Sequence, residues 1–344
     1  MSISFDLGIL PNRPIQGCID LALRAEQLGY SGVWIADSHS VMRDPYSILA
    51  ALAVQTEQLA LATGVTHTVT RHPAVLANSW ASLQELSGGR AICGIGVGES
   101  AVHNLGLKPE RLVVFEEKVR TLRALIRGEP TKYEGKELRM AWSERDVPIV
   151  MACSGPRSLR LGGRLADGVL FQVGSNPRLV QYALDNIRAG AEEAGRDFND
   201  IKLLVRVACA VSDDRNRARE EVKGYASVAA GTVFATVPRD YFDDQLYEEL
   251  TMMKSQYDYA EHASNEARHK DLLTDRILDA VAIAGTPQEA IPRFQALVEL
   301  GVDGFVWPAG MSSPGAYIET FAKQVMPHFD CSTRCALLQG SAAC

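Results

Sequence analysis

Short runs of β-branched and other apolar residues alternate along this chain with longer segments in which apolar residues recur every three or four positions. The short runs have the length of strands, and the longer segments have the period of amphipathic helices. Strands that alternate with helices are typical of a parallel sheet built from βα units. Eight strands are predicted, at 3–10, 32–36, 59–66, 90–96, 148–153, 168–173, 202–211 and 303–308.

Glycine and proline mark where the intervening helices begin and end. The helix after the first strand is predicted to end near Gly29, and the helix before the fourth strand at Gly88-Gly89. Thr286-Pro287 predicts an N-cap followed by proline in the first turn of the helix before the last strand. Eight such strands predict an α/β fold, a (β/α)8 TIM barrel with insertions, and an open doubly wound sheet is the alternative.

Two segments interrupt the repeat. Residues 129–147 contain the turn sequence Tyr133-Glu134-Gly135-Lys136, which predicts a short hairpin. Residues 213–284 are charged and helical in pattern, and predict an inserted helical lid over a substrate. We therefore expect one barrel domain over residues 1–330 and a disordered tail over 331–344.

Composition narrows the classes of partner. With 47% hydrophobic and 22% charged residues the chain can bury a large core, and a net charge of -7 without a Lys/Arg-dense run favours small molecules over nucleic acid or an acidic membrane. No apolar stretch reaches the roughly 20 residues of a membrane span, and the start lacks the features of a signal peptide. Seven cysteines without a CxxC pair fit a reducing compartment, so a cytoplasmic location is expected.

Polar and glycine-rich sequences follow several predicted strands at their carboxyl ends, where a barrel keeps its chemistry. Asp37 follows the second strand and could accept a hydrogen from a ring or a hydroxyl, or could cap a turn. His39 could exchange a proton near neutral pH, or could simply be solvated. Glu99 closes a segment, 94–99, whose alternating glycines leave room for a flat ring beside a carboxylate. Asp37, His39 and Glu99 are the catalytic candidates.

A second polar sequence follows the fifth strand. Ser154-Gly155-Pro156-Arg157 leads into a helix, and free N–H groups at a helix start beside a serine and an arginine predict a phosphate site, with an ordinary cap as the alternative. His67, Arg71 and His72 after the third strand could line the same mouth. We recognise no metal-binding cluster, Walker loop, HExxH or GxSxG motif, so no metal is predicted.

At these residues the chain resembles the luciferase-like monooxygenase superfamily, and especially its deazaflavin branch, which includes methylenetetrahydromethanopterin reductase. The similarity spans roughly residues 3–328. The segments that carry it are 28–37, 64–66, 71–74, 85–90, 94–99, 154–156 and 166–169.

The resemblance implies a barrel that binds a flavin-type ring in its mouth, a cis peptide bond between Gly64 and Val65 that forms a bulge against the ring, and a homodimer. The implied cofactor is coenzyme F-420, the 8-hydroxy-5-deazaflavin, with FMN as the alternative. The implied binding residues are Asp37, Gly64, Val65, Thr66, Gly96, Gly98, Ser154, Gly155, Pro156, Arg157, Val173 and Gly174.

Two positions depart from the family pattern. A catalytic histidine often follows the second-strand aspartate, whereas this chain has Ser38 there, with His39 displaced by one. A first-strand glutamate is expected in the methanopterin reductase where this chain carries Gly8. That exact reductase activity is therefore not expected, although Glu99 matches an acidic residue that relatives use as a proton donor.

Three functions are consistent with the sequence. The first is hydride transfer between coenzyme F-420 and an unidentified small organic substrate, with Glu99 or His39 handling the proton. The second is an FMN-dependent monooxygenase that uses molecular oxygen. The third is a flavin-binding barrel without turnover, since a fold alone does not establish activity.

Overall fold

The computed structural model describes residues 2–256, 271–308 and 314–331. The tail predicted from residue 331 onward therefore lies outside the described residues except for Cys331. The described strands are β1 (Ser4–Ile9), β2 (Gly32–Ile35), β3 (Ala60–Thr63), β4 (Thr66–His67), β5 (Ala91–Gly96), β6 (Thr131–Tyr133), β7 (Lys136–Leu138), β8 (Ile149–Cys153), β9 (Gly168–Phe171), β10 (Lys202–Arg206), β11 (Ala208–Val211), β12 (Ala282–Gly285) and β13 (Gly304–Pro308).

Helices connect most of these strands and form the outer layer. The described helices are α1 (Ile15–Gln27), α2 (Pro45–Ala53), α3 (Pro73–Leu86), α4 (Ser100–His103), α5 (Leu112–Ile126), α6 (Pro156–Leu165), α7 (Pro177–Glu193), α8 (Arg215–Thr236), α9 (Asp244–Ser255), α10 (Asp275–Val281), α11 (Pro287–Val298) and α12 (Pro314–Gln324). None of the described helices combines the length and the apolar character needed to cross a membrane.

A closed parallel barrel forms the centre of the fold. The strands lie in the order β3-β2-β1-β13-β10-β9-β8-β5, and β3 pairs with β5 to close the ring. β4 follows β3 after a short break and also pairs with β5. β3 and β4 together therefore count as one of the eight strands of the barrel, and each of these eight is called a stave below. Every pairing in this sheet is parallel, which confirms the predicted TIM barrel over an open sheet.

Trp34 packs in the barrel interior with a cluster of buried aliphatic side chains, and two glycines leave room for it. The Trp34 indole N–H donates to the Asp6 carboxylate at 2.9 Å, and both side chains are buried. A Cβ atom at Gly94 would lie 2.9 Å from the Trp34 ring, and one at Gly64 would lie 2.9 Å from Trp34 Cβ. Glycine at these positions therefore lets one large ring occupy the centre of the barrel.

The helix ends fall where the sequence places them. Gly29 has φ of +84° just after α1, and Gly88 and Gly89 have φ of +63° and +91° after α3. Thr286 is the N-cap of α11, and its N–H donates to the Glu289 carboxylate at 2.8 Å. The glycines supply the left-handed backbone that helix ends commonly need.

The segment 213–284 departs from the prediction at its end. α8, α9 and α10 are helices within it, and residues 257–270 lie outside the described residues. Ala282–Gly285 is β12, a strand, so the helical pattern does not extend to residue 284, and the role of the segment as a lid stays a prediction. The predicted strand 202–211 also divides, since β10 stays in the barrel while β11 leaves it and pairs with β12. Ile283 lies opposite Cys209 in the parallel pairing of β12 with β11, a partner distant in sequence.

The hairpin predicted within 129–147 is confirmed, because β6 and β7 pair antiparallel around Glu134-Gly135. Both turn residues have positive φ, of +49° and +76°.

Arg90 ties together three elements at the amino-terminal end of the barrel. Its guanidinium donates to the carbonyl oxygens of Ala53, Thr56 and Leu59 at 2.8–2.9 Å and to Thr56 Oγ1 at 2.8 Å. Its Nε donates to the carbonyl of Ser87 at 2.9 Å. The end of α2, the start of β3 and the end of α3 are thus all hydrogen-bonded to the Arg90 side chain.

We expect Arg90→Ala to destabilise the protein by about 2–3 kcal/mol, because it removes several charge-assisted hydrogen bonds at once. Urea unfolding measures this directly. Arg127→Ala is the control, since Arg127 pairs at 3.0 Å with an Asp146 side chain that is 76% exposed, and should cost no more than about 0.5 kcal/mol. Equal losses in the two variants would contradict the role of Arg90.

Candidate active site

Asp37, directly after β2, is the centre of a polar network at the carboxyl-terminal end of the barrel. Its side chain is 1% exposed, and its Oδ2 accepts hydrogen bonds from Thr66 Oγ1 at 2.7 Å and from Arg71 Nη1 at 2.5 Å. The Tyr46 hydroxyl of α2 donates to Thr66 Oγ1 at 3.2 Å. Asp37 therefore joins the loops after β2 and β4 and does not act as a turn cap.

Arg71 is shared between two carboxylates. Its second nitrogen lies 3.5 Å from Asp44, the N-cap of α2, and its guanidinium carbon lies 4.8 Å from the centre of the Tyr46 ring. His72 is the N-cap of α3, and accepts a hydrogen bond from the Ala74 N–H. The residues 71–73 thus both start a helix and supply the cation that Asp37 needs.

Two histidines lie beside Asp37. His39 Nδ1 is 3.6 Å from Asp37 Oδ1, and His39 Nε2 is 3.0 Å from Thr70 Oγ1. The ring of His67, from β4, meets the His39 ring edge to face with centroids 5.4 Å apart. The His39 side chain is 27% exposed, so it is neither fully solvated nor fully buried.

His67 is 1% exposed. Burial lowers its pKa, and the nearby Asp37 carboxylate opposes that shift without reversing it. Both ring nitrogens of His67 and Oδ1 of Asp37 are buried and make no hydrogen bond to any described residue. The sequence predicts His67 at the mouth but no role for it, because nothing in the local sequence shows that it packs against His39.

Glu99 occupies a separate position on the same side of the barrel. It follows Gly98, whose φ is +84°, and its carbonyl accepts from Val102 and His103 at the start of α4. Its carboxylate is exposed and makes no hydrogen bond or ion pair with a described residue. A Cβ atom at Gly98 would lie 3.5 Å from His67 Cβ, so the turn that carries Glu99 runs beside His67.

The floor between these groups is made by β3, β4 and β5. The peptide bond between Gly64 and Val65 is cis, which confirms the expectation from the family resemblance. Val65 packs against the inner core, and a Cβ atom at Gly96 would come within 3.2 Å of it. Arg206, from β10, donates to the Gly64 carbonyl at 3.0 Å and to the Tyr225 hydroxyl at 2.5 Å. Arg206 was not among the predicted site residues. Its position at the carboxyl-terminal end of β10, the seventh stave, could have indicated that it lies at the mouth.

The predicted phosphate residues lie at the start of α6. Gly155 is the N-cap, no side chain caps the helix, and Pro156 and Arg157 are exposed. The Ser154 N–H donates to Ser158 Oγ at 3.3 Å, so Ser154 is not the cap. The first-turn N–H groups thus have no side-chain acceptor.

The last two predicted binding residues follow β9. The Val173 side chain is fully buried in the core, so only its backbone is available to a ligand. Gly174 has φ of +91°, and a Cβ atom there would lie 2.6 Å from the Ala280 carbonyl oxygen. Gly174 therefore serves the close approach of α10 to this loop.

Position 8 has little room for a side chain. A Cβ atom at Gly8 would lie 3.2 Å from Pro308 Cα and 3.3 Å from the Trp307 carbonyl oxygen on β13. Both are backbone atoms of a paired strand. A glutamate here, as in the reductase pattern, would require β13 to shift.

A family model described as luciferase-like monooxygenase matches residues 3–304. The chain belongs to this family. A 5,10-methylenetetrahydromethanopterin reductase of Methanolobus tindarius is 33% identical over 312 residues, which cover 88% of this chain and 93% of that protein. An F420-dependent glucose-6-phosphate dehydrogenase of Nakamurella multipartita is 28% identical over 90% of this chain and 91% of its own.

Solved structures share the fold. The coenzyme F420 dependent tetrahydromethanopterin reductase from Methanopyrus kandleri superposes with a TM-score of 0.79 at 24% identity, covering 96% of this chain and 100% of that one. An FMN complex of the oxygenating constituent of 3,6-diketocamphane monooxygenase, a Baeyer-Villiger enzyme from Pseudomonas putida, gives 0.68 at 18% identity, covering 96% and 100%. The likeness to these structures shows the barrel and nothing finer.

We expect Asp37→Asn to destabilise the protein by about 2 kcal/mol, because a partly buried guanidinium loses its charged partner. Asp44→Asn is the matched control. Asp44 faces the same arginine, but its side chain is 48% exposed and asparagine caps a helix as well as aspartate does, so the loss should stay under about 0.5 kcal/mol. Thermal unfolding compares the two, and a similar loss in both would show that Asp37 is not the anchor of the network.

Proposed function

We propose that this protein is an oxidoreductase that transfers a hydride between coenzyme F-420 and a small organic substrate. The observation that carries the proposal is the barrel mouth, where a floor lined by glycine lies on the same side of the barrel as two histidines and the exposed carboxylate of Glu99. Membership of the luciferase-like family supports it, as do relatives named as F420-dependent or as methanopterin reductases. The substrate is not named by these observations.

The residues at the mouth fit a flat ring that carries a phosphate. Gly96 and Gly98 carry no side chain into the mouth: a Cβ at Gly96 would crowd Val65 at 3.2 Å, and a Cβ at Gly98 would crowd Val102 at 2.8 Å. The start of α6 offers N–H groups without a capping side chain, beside the exposed Arg157. Backbone N–H groups and positive charge at a helix start bind phosphate well.

Bound coenzyme F-420 would supply the carbon that gives or takes the hydride, so the protein has to position the partners and move one proton. Glu99 is our candidate for the proton, since its exposed carboxylate is engaged by no described side chain. Asp37 and Arg71 hold the loops around the ring. His39, fixed between Asp37 and Thr70, would face the reacting groups with its exposed edge.

The limited space at Gly8 and the serine at position 38 bear on the substrate. Both positions differ from the reductase pattern, so the expectation that this chain does not catalyse that exact reaction stays a prediction. Cytoplasmic location and a homodimer likewise stay predictions from the sequence.

The first experiment is a fluorescence titration of the purified protein with coenzyme F-420 and with FMN. We expect F-420 to bind with a Kd in the micromolar range or tighter, and FMN to bind at least about tenfold more weakly, a difference of about 1.4 kcal/mol. Arg157→Ala should raise the F-420 Kd about tenfold through loss of a phosphate contact. Arg160→Ala, one turn along α6 and paired with Glu193, should leave it unchanged.

Preference for FMN would overturn hydride transfer with F-420 and favour oxygen chemistry. Binding of neither would remove the proposal. An unchanged Kd in Arg157→Ala would place the phosphate elsewhere.

Glu99→Gln should slow turnover by a factor of about 100 or more while leaving the F-420 Kd unchanged, because the amide cannot exchange the proton. The measurement is oxidation of reduced F-420 by a panel of small carbonyl compounds, followed by absorbance. Glu137→Gln, on the exposed hairpin strand β7, is the control and should behave as the unaltered protein. Equal rates in the two variants would exclude Glu99 as the proton carrier.

A further inference from the structure

The polar atoms around Asp37 converge on one point. Asp37 Oδ1 and both ring nitrogens of His67 are buried and make no hydrogen bond to a described residue. One ligand-type atom from each of Asp37, His39 and His67 lies within 4.8 Å of the others. Two of the three side chains are almost fully buried, and the third is partly covered.

The contact between His39 and Asp37 is the most informative of these distances. With Thr70 donating to His39 Nε2 the proton of the neutral ring sits on Nδ1, and with Thr70 Oγ1 accepting from Nε2, at 3.0 Å, it sits on Nε2. In the second case His39 Nδ1 turns a lone pair toward Asp37 Oδ1 at 3.6 Å, which is too long for a hydrogen bond. In that tautomer two lone pairs face each other, and a cation bound between them would relieve their repulsion.

We propose that Asp37, His39 and His67 form a binding site for a divalent transition-metal ion of the zinc class. Two imidazole nitrogens and one carboxylate oxygen are a ligand set that such ions prefer, with one position left open. Ligands of a tetrahedral ion with bonds of about 2.1 Å lie about 3.4 Å apart, close to the 3.6 Å between His39 and Asp37. The partly exposed His39 ring and the His67 ring have to close the remaining separations by a small rotation.

The surroundings complete the site as outer partners do around metal ions. Arg71 and Thr66 both occupy Oδ2 of Asp37, which leaves Oδ1 for the ion and fixes the carboxylate plane. Thr70 orients His39 through its far nitrogen. Hydrogen bonds of this kind to the far side of each ligand hold its direction and tune its basicity.

Charge at the site also favours a cation. Arg71 is the nearest positive group, but Asp44 at 3.5 Å shares it, so the two carboxylates exceed the one guanidinium. Glu110 lies near His67 as well, paired with Lys118 at 2.7 Å. The proposal does not depend on the bound cofactor, because the ligand atoms all come from the protein.

The test is metal binding to the cofactor-free protein after treatment with a chelator. Calorimetric titration with Zn²⁺ should give one ion per chain, and Co²⁺ should give the visible absorption of a site with nitrogen and oxygen ligands. His67→Gln and His39→Gln should each weaken Zn²⁺ binding at least tenfold. His103→Gln, exposed on α4, should not change it.

Far-ultraviolet circular dichroism and a thermal melt show whether the His67→Gln variant, altered at a buried position, still folds. A loss of Zn²⁺ binding in a folded variant can then be assigned to the missing ligand. If His67→Gln fails to fold, the more exposed His39→Gln decides the matter alone. Binding that is undiminished in the variants that fold would place the ion elsewhere, for instance on cysteines, and would overturn the proposal. No Zn²⁺ binding at hundredfold excess over protein would overturn it too, without bearing on the F-420 titration.

Discussion

The ion pair between the buried Asp37 carboxylate and the partly buried Arg71 guanidinium is the interaction on which the mouth of this barrel depends. Asp37 ends the β2 stave, Thr66 belongs to β4, and Arg71 precedes α3, so one carboxylate oxygen holds three consecutive parts of the chain. A buried carboxylate is tolerated only when it is paired and hydrogen-bonded. Because the partners lie on different loops, satisfying that one charge also sets where the loops lie, and hence where His39 and His67 meet.

The barrel itself could be predicted from the sequence because its signals are local. Each stave is a short apolar run, and each helix end is set by glycine or by a cap such as Thr286. β12 could not be predicted in this way. Its four residues, Ala282–Gly285, carry no alternation of their own, and their conformation is decided by β11, some 70 residues earlier.

For the candidate site, too, the sequence predicted positions along single staves but not the contacts between staves. Strand ends identified Asp37, His39 and Glu99, and family resemblance identified the Gly64–Val65 bond, since each depends on position along one stave. The sequence could not show that Arg71 reaches Asp37, or that Arg206 crosses from β10 to the Gly64 carbonyl. These are side-chain contacts between distant staves, and their distances follow only from the closed ring.

The two carboxylate oxygens of Asp37 have different partners. Oδ2 is committed to Thr66 and Arg71, which keeps the loops in place, whereas Oδ1 faces His39 and is open to a bound ion. Glu99 stands apart from both, exposed on the next stave. The loop contacts, the proposed metal site and the proposed proton carrier thus involve different atoms. An ion bound by His39 and His67 would leave the Glu99 carboxylate untouched and would engage only the His39 ring among the groups proposed for the reaction.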